Sequence, residues 1–181
     1  MTSPHFWGAT AQECARTYPC DDLDFASDDV FFRAIDVAAP PELVYRWLCQ
    51  LRVGPYSYDL LDNFARRSPP RRTPALEKLA PGMIVMTIFR IAGFDWGRTL
   101  TVALSSRRAG SVMGTFVGTY DVSPSTTSAS RLVAKIRVRY PSGWYGAVLK
   151  RAMPTLDLIM FRKQLVTLAR YAERDARAGR L

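Results

Sequence analysis

The sequence predicts an α+β domain in which a bent antiparallel sheet wraps around one long C-terminal helix and leaves a cavity between them. Three observations predict it. Four strand-like runs follow one another at residues 83–90, 98–104, 112–122 and 131–140, separated by glycine and serine turns. Such a meander has one apolar face that must be covered. From residue 142 to about 177 the pattern is helical, and no other element is long enough to supply that cover. Gly114, Phe116, Gly118 and Tyr120 share one strand face, because strand side chains alternate. Glycines between aromatics either leave volume unfilled or let the sheet bend, and a bend around a helix does both.

A chain of 181 residues with 48% hydrophobic and 23% charged residues fits one globular domain. Residues 1–29 read as an irregular lead segment, 30–177 as the domain and 178–181 as a tail. No apolar run approaches the ~20 residues that cross a bilayer. The first thirty residues lack the basic start and apolar stretch of a signal peptide, so the expected location is the cytoplasm.

The net charge of +9 is unevenly spread. Residues 1–30 carry six acids against Arg16, a net of −5, so the remainder carries +14. A positive body raises the question of anionic partners. No nucleic-acid motif is present, however, and no aromatics interleave with the arginine cluster. Neither nucleic acid nor a membrane surface is the expected partner.

Taken in order, residues 11–16 suggest a short helix, and residues 30–37 (VFFRAIDV) read as a strand. Pro40 and Pro41 end it, and Pro41 suits the first position of a helix, where a missing N–H costs nothing. In that helix Val44, Trp47, Leu48 and Leu51 form one face, and Gly54-Pro55 ends it. Residues 56–63 suggest a short helix capped by Ser57 or Asp59. A proline-rich loop at 66–74 follows, with Arg66, Arg67, Arg71 and Arg72 expected in solvent. The strand at 131–140 alternates Leu132, Ala134, Ile136, Val138 and Tyr140 with Arg131, Val133, Lys135, Arg137 and Arg139. This reads as an inner face and a solvated outer one. Pro154 predicts a break or kink in the last helix.

Cys14, Cys20 and Cys49 fit no zinc pattern; a Cys14–Cys20 disulfide stays open, although the odd count in a cytosolic chain argues for thiols. With His5 the one histidine, a three-histidine metal site is impossible and a histidine-based triad has one candidate. No metal and no cofactor are expected.

On a wheel drawn at about 100° per residue, Leu158, Phe161, Leu165, Leu168, Ala169 and Ala172 share a face with Ile159 and Val166. Leu158, Phe161, Leu165 and Leu168 are expected to be buried. Asp157, Lys163, Gln164, Thr167 and Arg170 fall on the other side, but Arg162 falls inside the apolar face. A buried guanidinium needs a carboxylate, a route to water or a polar spot in a cavity. Tyr56, Tyr58, Asp59, Asp62 and Asn63 offer such a polar spot, so Arg162 is expected to pair with Asp59 or Asp62, or to share a pocket with the tyrosines. Together with Trp96, Phe116, Gly118 and Tyr120, the residues Tyr56, Tyr58, Asp59, Asp62 and Arg162 form the expected ligand-facing set.

At residues 35–63 (IDVAAPPELVYRWLCQLRVGPYSYDLLDN) the chain resembles the opening of the START-like superfamily, also called SRPBCC, the polyketide cyclase/dehydrase and lipid-transport group. Residues 79–86, SRLVAKIRVRY at 130–140 and MFRKQL at 160–165 resemble the same uncharacterised bacterial branch. The WGAT at 7–10 and YPCD at 18–21 look like those of close relatives. The resemblance covers about residues 30–175 and implies a helix-grip fold with an internal cavity. Members bind lipids, sterols, polyketides and hormones, and a minority catalyse cyclisation, dehydration or ring hydroxylation. Catalytic residues differ among the cyclases, so none is carried over here.

Three functions follow as expectations. The first is a non-catalytic binder or carrier of a small, largely apolar ligand with a polar head. The second is a cyclase or dehydratase-like enzyme with Asp59 or Asp62 as acid or base, and a tyrosine or Arg162 steadying an enolate. The third is an anion-surface binder built on the arginine loop and the basic strand face. Titration with duplex DNA or anionic vesicles is expected to show no binding at physiological salt. Binding that fell steeply with added salt would instead mark the arginines as phosphate contacts.

Overall fold

The computed structural model describes residues 3–58, 67–105, 110, 112 and 114–180. Strand β1 (Phe6–Trp7) and helix α1 (Ala11–Ala15) lie in the lead segment. Strand β2 (Asp29–Val37) and helix α2 (Pro41–Cys49) follow. Then come β3 (Ile84–Val85), β4 (Phe89–Asp95), β5 (Thr99–Leu104), β6 (Thr115–Pro124), β7 (Ser130–Arg139) and the long helix α3 (Trp144–Arg177). The strands form one sheet in the order β1-β2-β7-β6-β5-β4-β3. From β3 to β7 it is an antiparallel meander, and β2 returns to pair with β7 from Asp29↔Val138 to Val37↔Ser130. β1 runs parallel to β2, so the sheet is mixed.

The strand expected at 83–90 is divided in two. Met86 and Thr87 take φ of 47° and 67°, left-handed values that L-residues adopt only where the surroundings impose them. The imposed contact is a hydrogen bond from the Met86 N–H to the Leu51 carbonyl at 2.8 Å. No glycine marks this turn, which hid it in the sequence.

Helix α2 starts with proline at its first turn, as expected. It is buried on more than one side: Leu43, Val44, Tyr45, Trp47, Leu48 and Cys49 are all enclosed, because α2 lies against both the sheet and α3. Cys14, Cys20 and Cys49 are free thiols. Burial pushes the Cys49 thiol up to about 12, which leaves it protonated and inert at neutral pH.

Helix α3 begins after Gly143, whose φ of 86° suits glycine alone, and runs unbroken through Pro154. The expected break is absent. Pro154 lacks only the N–H that would reach the Lys150 carbonyl, and its own carbonyl accepts from Arg33 Nη2 at 3.4 Å. Leu165 and Leu168 are buried, whereas Leu158 and Phe161 are half-buried.

The outer face of the sheet is not solvated. The acidic lead segment lies across it, and Tyr18 and Cys20 pack on Phe32, Ala34, Val117 and Val133. Lys135 Nζ meets Asp21 at 2.7 Å, Arg131 Nε meets Glu13 at 2.8 Å, and Arg137 Nη1 donates to the Cys20 carbonyl at 2.6 Å. Arg16 pairs with Asp121 of β6. The charge separation between lead segment and body is thus an internal complementarity. Arg72 likewise departs from the expected solvated loop, lying largely buried at 3.6 Å from Glu77.

Leu165→Ala should cost about 2–5 kcal/mol, measurable by urea denaturation. The Arg131 guanidinium holds the Glu13 carboxyl below its ordinary value. Its stabilising contribution is therefore complete above the ordinary glutamate range and lost as pH falls through the lowered value. Glu13→Gln should remove that dependence and speed hydrogen exchange in the lead segment while leaving β6 and β7 protected.

Candidate functional site: a cavity between sheet and helix

Between the inner face of the sheet and the first half of α3 lies a cavity of ≈500 Å³. Val102, Phe116, Ile136, Met153 and Phe161 make its walls chiefly apolar. Gly118 lies on the sheet side. A Cβ there would stand 3.1 Å from the Lys135 carbonyl oxygen, so a larger residue would crowd β7 as well as fill space. Tyr120 and Phe161 stack at 6.0 Å between ring centroids.

Two polar ties join α3 to the sheet side of this cavity. In the first, the Tyr120 hydroxyl donates to Gln164 Oε1 at 2.6 Å. Gln164 Nε2 donates to the Pro55 carbonyl at 2.7 Å and lies 3.3 Å from Met86 Sδ. Burial raises the Tyr120 hydroxyl well above its ordinary value, the nearby Asp157 charge adding to the effect. In the second tie, Arg33 of β2 donates from Nε at 3.1 Å and from Nη2 at 2.7 Å to one oxygen, Oδ2, of Asp157. Its Nη1 donates to the Phe32 carbonyl at 3.0 Å. Arg33 is fully buried, and Asp157 is buried but lines the cavity. Desolvation raises the Asp157 carboxyl to about 6 even though the Arg33 guanidinium pulls it down. The same desolvation lowers Arg33, which still stays charged at neutral pH.

Of the residues expected to face a ligand, Phe116, Gly118 and Tyr120 line this cavity. Tyr56 does not: it is buried in an aromatic cluster, 5.9 Å from the Trp47 ring and 6.1 Å from that of Tyr171. Tyr58 is 41% exposed, and Asp59 and Asp62 lie outside the described residues. Trp96 is 46% exposed in the turn between β4 and β5, where it leans on Tyr45.

Arg162 is exposed, with its guanidinium 5.7 Å from the Trp7 ring. The reason is rotational. The buried stripe of α3 contains Asp157, Gln164, Leu165, Leu168, Ala169, Ala172 and Asp175. It is turned by roughly 70° from the face that the apolar residues alone mark. Three polar residues fall on that stripe because partners await them: Arg33 for Asp157, Tyr120 for Gln164, and Trp47, whose Nε1 donates to Asp175 at 3.1 Å.

The expectation of a buried arginine paired with a carboxylate at α3 therefore attaches to Arg33 and Asp157. The signal was present in VFFRAIDV, where Arg33 shares its strand face with Phe31, Ile35 and Val37. Asp157 and Gln164 carried a weaker one, being seven residues apart and so on one helix side.

A second cleft of ≈470 Å³ lies on another side of α3, beside Lys163, Arg170, Arg174 and Arg177. Its charged walls do not suit an apolar guest. His5 lies 3.4 Å from Asp29 and does not line the cavity. Among the described residues no cluster of His, Cys, Asp and Glu is arranged to hold a metal ion, and no helix is long and apolar enough to cross a membrane.

No family model and no curated protein matches the chain. Solved structures do. A hypothetical protein of Helicobacter pylori is 12% identical, with 87% of this chain and 96% of that one covered at a TM-score of 0.53. A Thermobifida fusca protein solved by NMR is 16% identical, with 78% and 92% covered at 0.52. A Streptomyces aromatase/cyclase is 19% identical, with 83% and 96% covered at 0.49. At such identities the likeness is one of fold. The chain shares that fold, an α+β helix-grip arrangement of one sheet packed on a long C-terminal helix.

The raised Asp157 carboxyl has a thermodynamic consequence. Between about pH 4 and 6 the folded state holds a proton that the unfolded state has lost, so this group's contribution falls as pH rises through that window. Replacing the pair by apolar side chains (Arg33→Met with Asp157→Leu) removes the effect. Relative to this double variant, the wild type should lose stability from pH 4 to 6 in urea titrations.

Proposed function

We propose that the protein binds or carries a small, largely apolar molecule with a polar head, held between the sheet and α3. The carrying observation is the cavity itself: its volume lies in the ~300–1,000 Å³ range of small-molecule sites, its walls are mostly apolar, and its few polar groups converge from Tyr120, Asp157 and Gln164. The apolar walls provide the driving force for binding, and the polar groups set orientation.

A second reading rests on one observation. A carboxyl raised to about 6 on the cavity wall can give or take a proton near neutral pH, as an enzyme of the cyclase or dehydratase kind requires. In that reading Asp157 takes the acid-base role that the sequence suggested for Asp59 or Asp62. The anion-surface reading loses its basic strand face, since Arg131, Lys135 and Arg137 are engaged by the lead segment.

The fluorescent apolar probe N-phenyl-1-naphthylamine should bind at one molecule per chain. Ala134→Phe, which fills the sheet side of the cavity, should abolish that binding while circular dichroism shows an unchanged fold. Undiminished binding by the variant would place the probe elsewhere. Mass spectrometry of a co-purified ligand before and after prolonged incubation separates carrier from enzyme: an unchanged mass supports the carrier, a changed one the enzyme.

A further inference from the structure

We propose that the ligand's polar head is a neutral hydroxyl, of an alcohol or a phenol, that donates a hydrogen bond to Asp157. This rests on the cavity being a ligand site and goes further, to the chemistry of the head group. The deep polar groups have already committed their hydrogens. The Tyr120 hydroxyl hydrogen goes to Gln164 Oε1. The Gln164 amide is directed to the Pro55 carbonyl and Met86 Sδ, and the Pro55 carbonyl, which can only accept, fixes the amide's orientation. Arg33 directs its guanidinium to Asp157 Oδ2 and to the carbonyls of Phe32 and Pro154, and it does not line the cavity. The Thr119 hydroxyl is engaged on the outer face by Cys20 and Thr101. Of the remaining hydroxyls on the lining, Thr87 is exposed and Ser57 half-buried.

What the cavity offers a head group is acceptors. Both Arg33 bonds fall on Asp157 Oδ2, and Asp157 Oδ1 has no hydrogen-bond partner among the described residues. The Tyr120 oxygen, its hydrogen spent, retains a lone pair. A carboxylate head would place a second anion beside Asp157. A ketone or ether brings no hydrogen to either acceptor. An ammonium would add a net charge to a site whose own charges already cancel, and a desolvated charge without a counter-charge is costly. A hydroxyl satisfies Oδ1 and adds no charge. Near neutral pH the carboxyl, at about 6, is mainly the ionised acceptor.

The test uses three probes with one ring system: 2-naphthol, 2-methoxynaphthalene and 2-naphthoic acid, titrated calorimetrically near neutral pH. The wild type should bind the naphthol about tenfold or more tightly than the ether, the gain of one charge-assisted hydrogen bond, and the acid most weakly. In the Arg33→Met, Asp157→Leu variant the naphthol and the ether should agree within about twofold. An ether or acid that binds the wild type as tightly as the naphthol overturns the inference, whether or not the variant folds. So does a preference that persists undiminished in the folded variant. If N-phenyl-1-naphthylamine binds but none of the three probes does, the hydroxyl inference alone fails. If that dye does not bind either, the cavity reading fails with it.

Discussion

The seating of the long helix depends on one buried ion pair. Arg33 stands on the inner face of β2 with no exposure to solvent, and Asp157 of α3 meets it through two hydrogen bonds. Such a pair seldom stabilises more than apolar packing of equal volume, but breaking it costs about 3–5 kcal/mol. Its consequence is therefore positional. Sliding α3 by one turn, or rotating it to bury its apolar stripe more fully, would leave Arg33 unpaired. The helix is held with Asp157, Gln164 and Asp175 toward the core, and apolar Leu156, Ile159 and Met160 stay exposed as a result.

That seating also makes the cavity. Phe161 and Gln164 are brought opposite Tyr120, and Met153 faces the sheet. Below this level α3 closes down on α2 and β2, where Leu165, Leu168, Ala169 and Ala172 are buried in the main apolar cluster. The half-burial of Phe161 follows from its place beside the open volume. The polar groups on the wall belong to the ties that hold the helix, so the residues that seat α3 are also those a bound molecule would meet.

The opposite face of the sheet is organised by charge. A basic strand face and an acidic lead segment neutralise each other through Arg131, Lys135, Arg137, Glu13 and Asp21, with Tyr18 and Cys20 filling the apolar gaps between them. The sheet is thereby covered on both faces, by α3 within and by the lead segment without.

The sequence by itself determined the order of the main elements, but not β1 or the turn that parts β3 from β4. Strand-forming composition and turn residues placed β2 and β5, these with alternation placed β6 and β7, proline and apolar spacing placed α2, and helical periodicity placed α3, because these patterns are local. The resemblance to the START-like superfamily rested on the same segments. Tertiary structure decided the rotation of α3, the exchange of Arg162 for Arg33 as the buried arginine, and the covering of the outer face. It also moved Tyr56 into the aromatic core and Trp96 to a surface turn. Arg33 and Asp157 are 124 residues apart in the chain. A helical wheel ranks faces by hydrophobicity, and Asp157 and Gln164 read as solvent-facing until their partners are in place. Which polar residue is buried is a property of the pair, and only the folded chain brings the pair together.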